Sequence, residues 1–144
     1  MGSSTIVDIA DAVVTALNDG TFSQSFEAVR HYQPVFELKD MGTLHVSVVP
    51  KGIELELFTR AQVQADVQVD IGVQKKLDSI EPADVDPLMR LVEEIGDYFR
   101  THALASTPAV WIKTENVPIF APEHLAKLRQ FTSVVTLTFR QLRR

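Results

Sequence analysis

Asp66-Val67-Gln68-Val69-Asp70-Ile71-Gly72-Val73-Gln74 is the cleanest alternation in the chain. Val67, Val69, Ile71 and Val73 face one way, and Asp66, Gln68, Asp70 and Gln74 face the other, because successive side chains of a strand leave opposite faces. One apolar and one polar face mean a sheet covered on one side. Whatever covers it must carry an apolar stripe of its own, so the flanking segments decide the architecture.

On the N-terminal side, Ile6, Ile9, Ala10, Val13, Ala16 and Leu17 recur at helical spacing and predict a helix over 5–18. Ser4 or Thr5 can cap it, and Gly20 is placed to close it in a left-handed conformation. The period then changes to two. Residues 25–32 read as a strand. Residues 43–49 and 53–58 read as a β-hairpin joined by Pro50-Lys51-Gly52, where proline presets φ and glycine tolerates positive φ. Thr59–Ala65 is polar and weakly patterned and reads as a loop or strand extension.

On the C-terminal side, Asp86-Pro87 is placed to open a second helix. Its apolar stripe is Leu88, Leu91, Val92, Ile95 and Phe99, and its wet face is Arg90, Glu93, Glu94, Asp97 and Arg100. A strand over 110–117, a short helical turn from Ala121 to Leu128 and a strand over 131–140 complete the chain. The expectation is an α+β fold: a mainly antiparallel sheet of about five to six strands, with two main helices packed on one face.

The 144 residues fit a single domain over 1–144, with Met1–Ser4 as a flexible or cloning-derived leader. An apolar content of 45% suits a folded, soluble globule. No apolar run is long enough to span a bilayer, so no membrane partner is expected. The start has neither the basic nor the apolar region of a secretory signal. The chain has no cysteine, which excludes disulfides and thiolate chemistry. With a formal charge of −5 the surface does not suit nucleic-acid binding. Arg140, Arg143 and Arg144 form the one basic run and read as a solvated tail.

Catalytic signatures are missing. There is no glycine-rich phosphate loop and no Gly-x-Ser-x-Gly. His31, His45, His102 and His124 are far apart and none has metal-ligand spacing, so no metal and no cofactor are expected. Glu93 and Asp97 lie one helical turn apart, but Arg90 and Arg100 flank them, and a solvated face explains all four. Trp111 reads as core, with a place in an interface as the alternative, since amphipathic rings favour interfaces. Glu54, Glu56, Asp66 and Asp70 are more suggestive. If their strands are neighbours, the sheet has an acidic face, either an ordinary solvated one or a lining that repels a polyanion.

Three stretches carry a resemblance to a known family. They are the helix Ile6–Leu17 with the strand around Phe26, the segment Arg60–Lys76 followed by the helix Leu88–Phe99, and the closing Arg129–Phe139. In element order and residue type they resemble the tail terminator (tail completion) proteins of long-tailed bacteriophages, the group that includes the lambda minor tail protein U. The resemblance implies a structural protein and no catalytic residue. It implies a homo-oligomeric ring, typically of six subunits, that caps the tail tube protein, ends tube polymerisation and presents a surface to a head completion or connector protein. DNA would pass through without specific binding, so Glu54, Glu56, Asp66 and Asp70 would suit the lumen. Assembly would occur in the bacterial cytoplasm and the end point would be the neck of the virion.

A ring needs contacts between different patches of neighbouring subunits. Within this chain, the loop Arg60, Gln62 and Gln64 and the segment 116–128, with Phe120 as apolar anchor and His124, are the candidates. Two other readings remain: a head–tail joining protein of the same neck, and a small ligand-binding or enzymatic α+β domain whose site is assembled in space.

Overall fold

The structure, a computed structural model, describes residues 5–32, 44–117 and 119–143. Met1–Ser4, Thr43, Pro118 and Arg144, all used above, lie outside the described residues. The element order is α1 (Thr5–Asp19), β1 (Ala28–Arg30), β2 (His45–Leu57), β3 (Val63–Lys76), α2 (Pro82–Thr101), β4 (Val110–Glu115), α3 (Pro122–Leu128) and β5 (Gln130–Arg143). The five strands form one sheet in the order β1-β2-β3-β5-β4. Only β1 runs parallel to its neighbour, β2; the other pairs are antiparallel. The α+β expectation therefore holds.

The stretch that opened the sequence analysis is the middle of the sheet. Val67, Val69, Ile71 and Val73 are completely buried. They sit opposite Phe139, Leu137, Val135 and Ser133 of β5. Two helical stripes cover them: Ile9, Val13 and Leu17 of α1, and Leu88, Leu91, Val92, Ile95 and Phe99 of α2, all in one buried cluster. The Phe99 and Phe139 rings meet edge to face at 5.9 Å, joining α2 to β5, a favoured geometry for aromatic pairs.

Several boundaries differ from expectation. The hairpin turn is not at Pro50-Lys51-Gly52. Strand β2 runs straight through it, with a register shift between Pro50 and Gly52. A bulge absorbs the donor that proline lacks, which is where sheets tolerate proline. The turn lies at 58–62 instead, where the Phe58 and Thr59 N–H groups donate to the Gln62 carbonyl at 3.2 and 3.1 Å. Helix α2 begins at Pro82, not at Asp86-Pro87. Pro82 takes the first-turn position, Glu81 is the N-cap, and Pro87 sits inside the helix. The first strand shrinks to Ala28–Arg30; before it, Phe26 packs on Phe22, whose ring in turn meets Tyr98 of α2.

Gly20 does not have positive φ. Its value is its size: a Cβ there would come within 2.8 Å of the Phe22 ring and 3.1 Å of Tyr98. The presumed basic tail is part of β5. Arg140 reaches Asp66, and the Arg143 guanidinium donates to the Thr5 hydroxyl at 2.9 Å.

Candidate assembly surface

Register puts Glu54, Glu56, Asp66 and Asp70 on one side of the sheet, the side away from α1 and α2. Glu54 sits opposite Asp66, and Glu56 opposite Gln64, while Asp66 and Asp70 are four apart on β3. Like charges directly opposite repel, and β5 supplies the relief. The Arg140 Nε and Nη2 atoms donate to Asp66 at 2.8 and 3.1 Å. These bonds, against a smaller effect of burial, hold the Asp66 carboxyl below its ordinary range. The charge of Glu56 also acts on Arg140. Asp70 accepts from the Thr136 hydroxyl at 2.6 Å, with Lys51 Nζ at 3.9 Å. Lys113 and Glu115 of β4 lie on the same side, paired at 3.3 Å. Five carboxylates thus face four cations, Lys51, Lys76, Lys113 and Arg140, and the face is net negative.

The other side of the same arm is apolar. Ile53, Leu55 and Leu57 lie opposite Val67, Ala65 and Val63, on the side that α1 and α2 cover further along. Here the cover is lost: Ile53, Leu55, Leu57 and Phe58 are 42%, 52%, 78% and 55% exposed. Length explains it. Strands of 13 and 14 residues extend about 45 Å, whereas a helix of 15 residues spans about 22 Å. The sheet outruns α1. Beyond the short β1, the outer edge of β2 has no partner strand among the described residues.

The candidate residues fall into two groups at opposite ends of the sheet. Arg60 is exposed in the hairpin turn, and Gln62 closes that turn through its main chain. Gln64 lies in β3 beside Glu56 and Leu142. At the other end, Phe120 is half-buried, its ring 6.0 Å from that of Phe131. His124 is exposed, with Nδ1 3.0 Å from the Thr132 hydroxyl. The segment around them is stapled to β5. The Ala121 N–H donates to the Thr132 carbonyl at 2.8 Å, and the Asn116 amide donates to Ser133 and to the Val134 carbonyl at 3.0 and 2.8 Å. The structure therefore does not bring Phe120 and His124 to the Arg60 loop.

The exposed apolar residues of β2 were missing from the sequence-based list, because their alternation with Glu54 and Glu56 reads like an ordinary inward face. The signal was in the lengths, once Pro50 is allowed inside a strand.

A hollow of about 540 Å³ lies between α2 and β4. Val92, Trp111 and Ile119 line it, with Glu93, Asp97 and Arg100 at its rim. The Trp111 indole N–H donates to the Thr114 hydroxyl at 2.7 Å, which donates to the Gly96 carbonyl at 3.0 Å. A Cβ on Gly96 would lie 3.2 Å from Thr114 Cγ2, so glycine permits this approach of helix to strand. Two of the α2 acids, Glu94 and Asp97, have partners suited to a solvated face. Arg100 Nε donates to Asp97 at 2.7 Å and holds its carboxyl below the usual range. Burial raises the Glu94 carboxyl, but the Ser23 N–H and hydroxyl and the Arg90 guanidinium outweigh it. His102 stacks on Tyr98 with ring centroids 4.0 Å apart. No group of three or more His, Asp or Glu side chains among the described residues is placed to hold a metal. None of the described helices is long and apolar enough to cross a membrane.

The sequence matches no protein-family model and no curated protein sequence.

Proposed function

We propose that this chain is a structural assembly protein of a long-tailed bacteriophage that forms a ring, six subunits being the expected number, on the end of the tail tube. The ring ends tube growth and offers a surface to the head completion or connector protein. The observation that carries this reading is the arm formed by the distal half of β2. Its apolar side, Ile53, Leu55, Leu57 and Phe58, is uncovered, and its outer edge has no partner strand among the described residues. An apolar patch beside an open strand edge is an association surface, and left uncovered it is an aggregation hazard. The opposite side is net negative, which suits a channel through which DNA moves without sticking.

Light scattering over a wide concentration range tests this. The expected result is a shift from one subunit to a closed oligomer near six, with tail tubes that stop growing when the oligomer is added. A mass of one subunit at every concentration would overturn the ring.

A further inference from the structure

The tip of the β2–β3 hairpin and the hollow between α2 and β4 complement each other in chemistry. The tip presents Leu57 and Phe58, 78% and 55% exposed. Arg60, the one charge between Phe58 and Gln62, has no ionic partner among the described residues. The hollow presents Val92, Trp111 and Ile119. At its rim Asp97 is already held by Arg100, whereas Glu93 is exposed and has no ionic partner among the described residues. The rim therefore keeps one negative charge to offer and the tip one positive charge.

Position agrees with chemistry. The tip lies beyond the pairs Leu57–Val63 and Val63–Arg143, at one end of the sheet. The hollow lies at β4, the outermost strand at the far edge of the sheet, where Trp111 and Thr114 stand level with Phe139 and Leu137, midway along β5. A contact between such different patches is heterologous: repeated, it closes a ring where the rotation between neighbours divides the circle and grows an open filament where it does not.

We propose that the hairpin tip of one copy docks into the α2–β4 hollow of the next, with Leu57 and Phe58 against Val92, Trp111 and Ile119 and with Arg60 beside Glu93. This rests on the ring reading above and names its contact.

The absence of cysteine makes the test direct. Arg60→Cys and Glu93→Cys are prepared as two separate proteins, both at exposed positions. They are mixed where the unaltered chain is assembled by light scattering, then oxidised. A disulfide needs Cα atoms within about 7 Å, so the mixed dimer should exceed either homodimer by about tenfold. Arg60→Glu or Glu93→Lys alone should raise the apparent dissociation constant about two- to fivefold, the size expected of one surface ion pair, and the two changes in one chain should restore it. Random cross-linking in a chain that still assembles would overturn this contact and leave the ring standing. An Arg60→Cys homodimer as the main product would point to a two-fold contact and overturn it too. An unaltered chain that stays at one subunit would overturn both proposals.

Discussion

At the scale of the residue, the pair that most shapes the polar face is Asp66 with Arg140. Asp66 stands between two opposing demands: Glu54 directly across β2 repels it, and Arg140 across β5 binds it with two hydrogen bonds. The arginine wins, and the carboxyl is held below its ordinary value of 3.8. A depressed carboxylate stabilises the fold above its unfolded pKa, and that contribution is lost as pH falls through the folded pKa. The thermal midpoint of the unaltered chain should therefore exceed that of Asp66→Asn near neutral pH, and the difference should vanish as pH drops below 3.8. A difference that persists at low pH would mean Asp66 acts by shape and not by charge. Phe120 gives the contrasting case. Its ring is half-buried against Phe131, so Phe120→Ala should lower the melt by about 1–3 kcal/mol, less than a fully buried phenylalanine costs. Arg60, exposed in its turn, should leave the melt unchanged and is the cleaner probe of association.

At the scale of the element, prolines and strand lengths explain what the sequence revealed and what it hid. The core alternation of β3, the stripes of α1 and α2 and the β5 pattern were all legible, because burial on one face leaves a period that survives any change of boundary. The ends of β2 and α2 were not. Both errors come from treating a proline as punctuation. Pro50 rides in a bulge, and Pro87 lies five residues into a helix that Pro82 had already begun. Of the candidate site, the shared acidic face was legible from strand alternation, whereas the exposed apolar arm depended on where the helices stop. Pro87 removes one main-chain donor from α2, so Pro87→Ala should raise stability by about 1–3 kcal/mol, read from denaturant unfolding. A loss would show that the proline helps to aim the carbonyl of residue 87 at the Gln24 amide, now 3.1 Å away. In the core between sheet and helices, Val69→Ala or Ile95→Ala should cost about 1–4 kcal/mol through lost burial and a cavity; both side chains are fully buried.

At the scale of the whole molecule, the sheet divides its labour between two sides. One side holds α1 and α2 and, beyond them, the apolar arm; the other is acidic. If the acidic side keeps DNA from sticking, Glu54→Lys with Glu56→Lys should create retention on DNA at low salt that the unaltered chain lacks, and added salt should abolish it. An unchanged elution from immobilised DNA would remove that role from this face. The strand order has a further consequence. β5 is the last of the eight described elements along the chain, yet it lies between β3 and β4 in the sheet. As the chain leaves the ribosome, β3 therefore emerges long before the partner that fills its second edge, and its core side chains, three valines and one isoleucine, wait with only β2 beside them. Pairings of such long sequence separation form slowly, and an open apolar edge in the interval invites contact with other nascent chains. Synthesis of this protein should thus depend on holding chaperones more than its modest size suggests, and the sheet is complete only after its final strand has slipped into the middle.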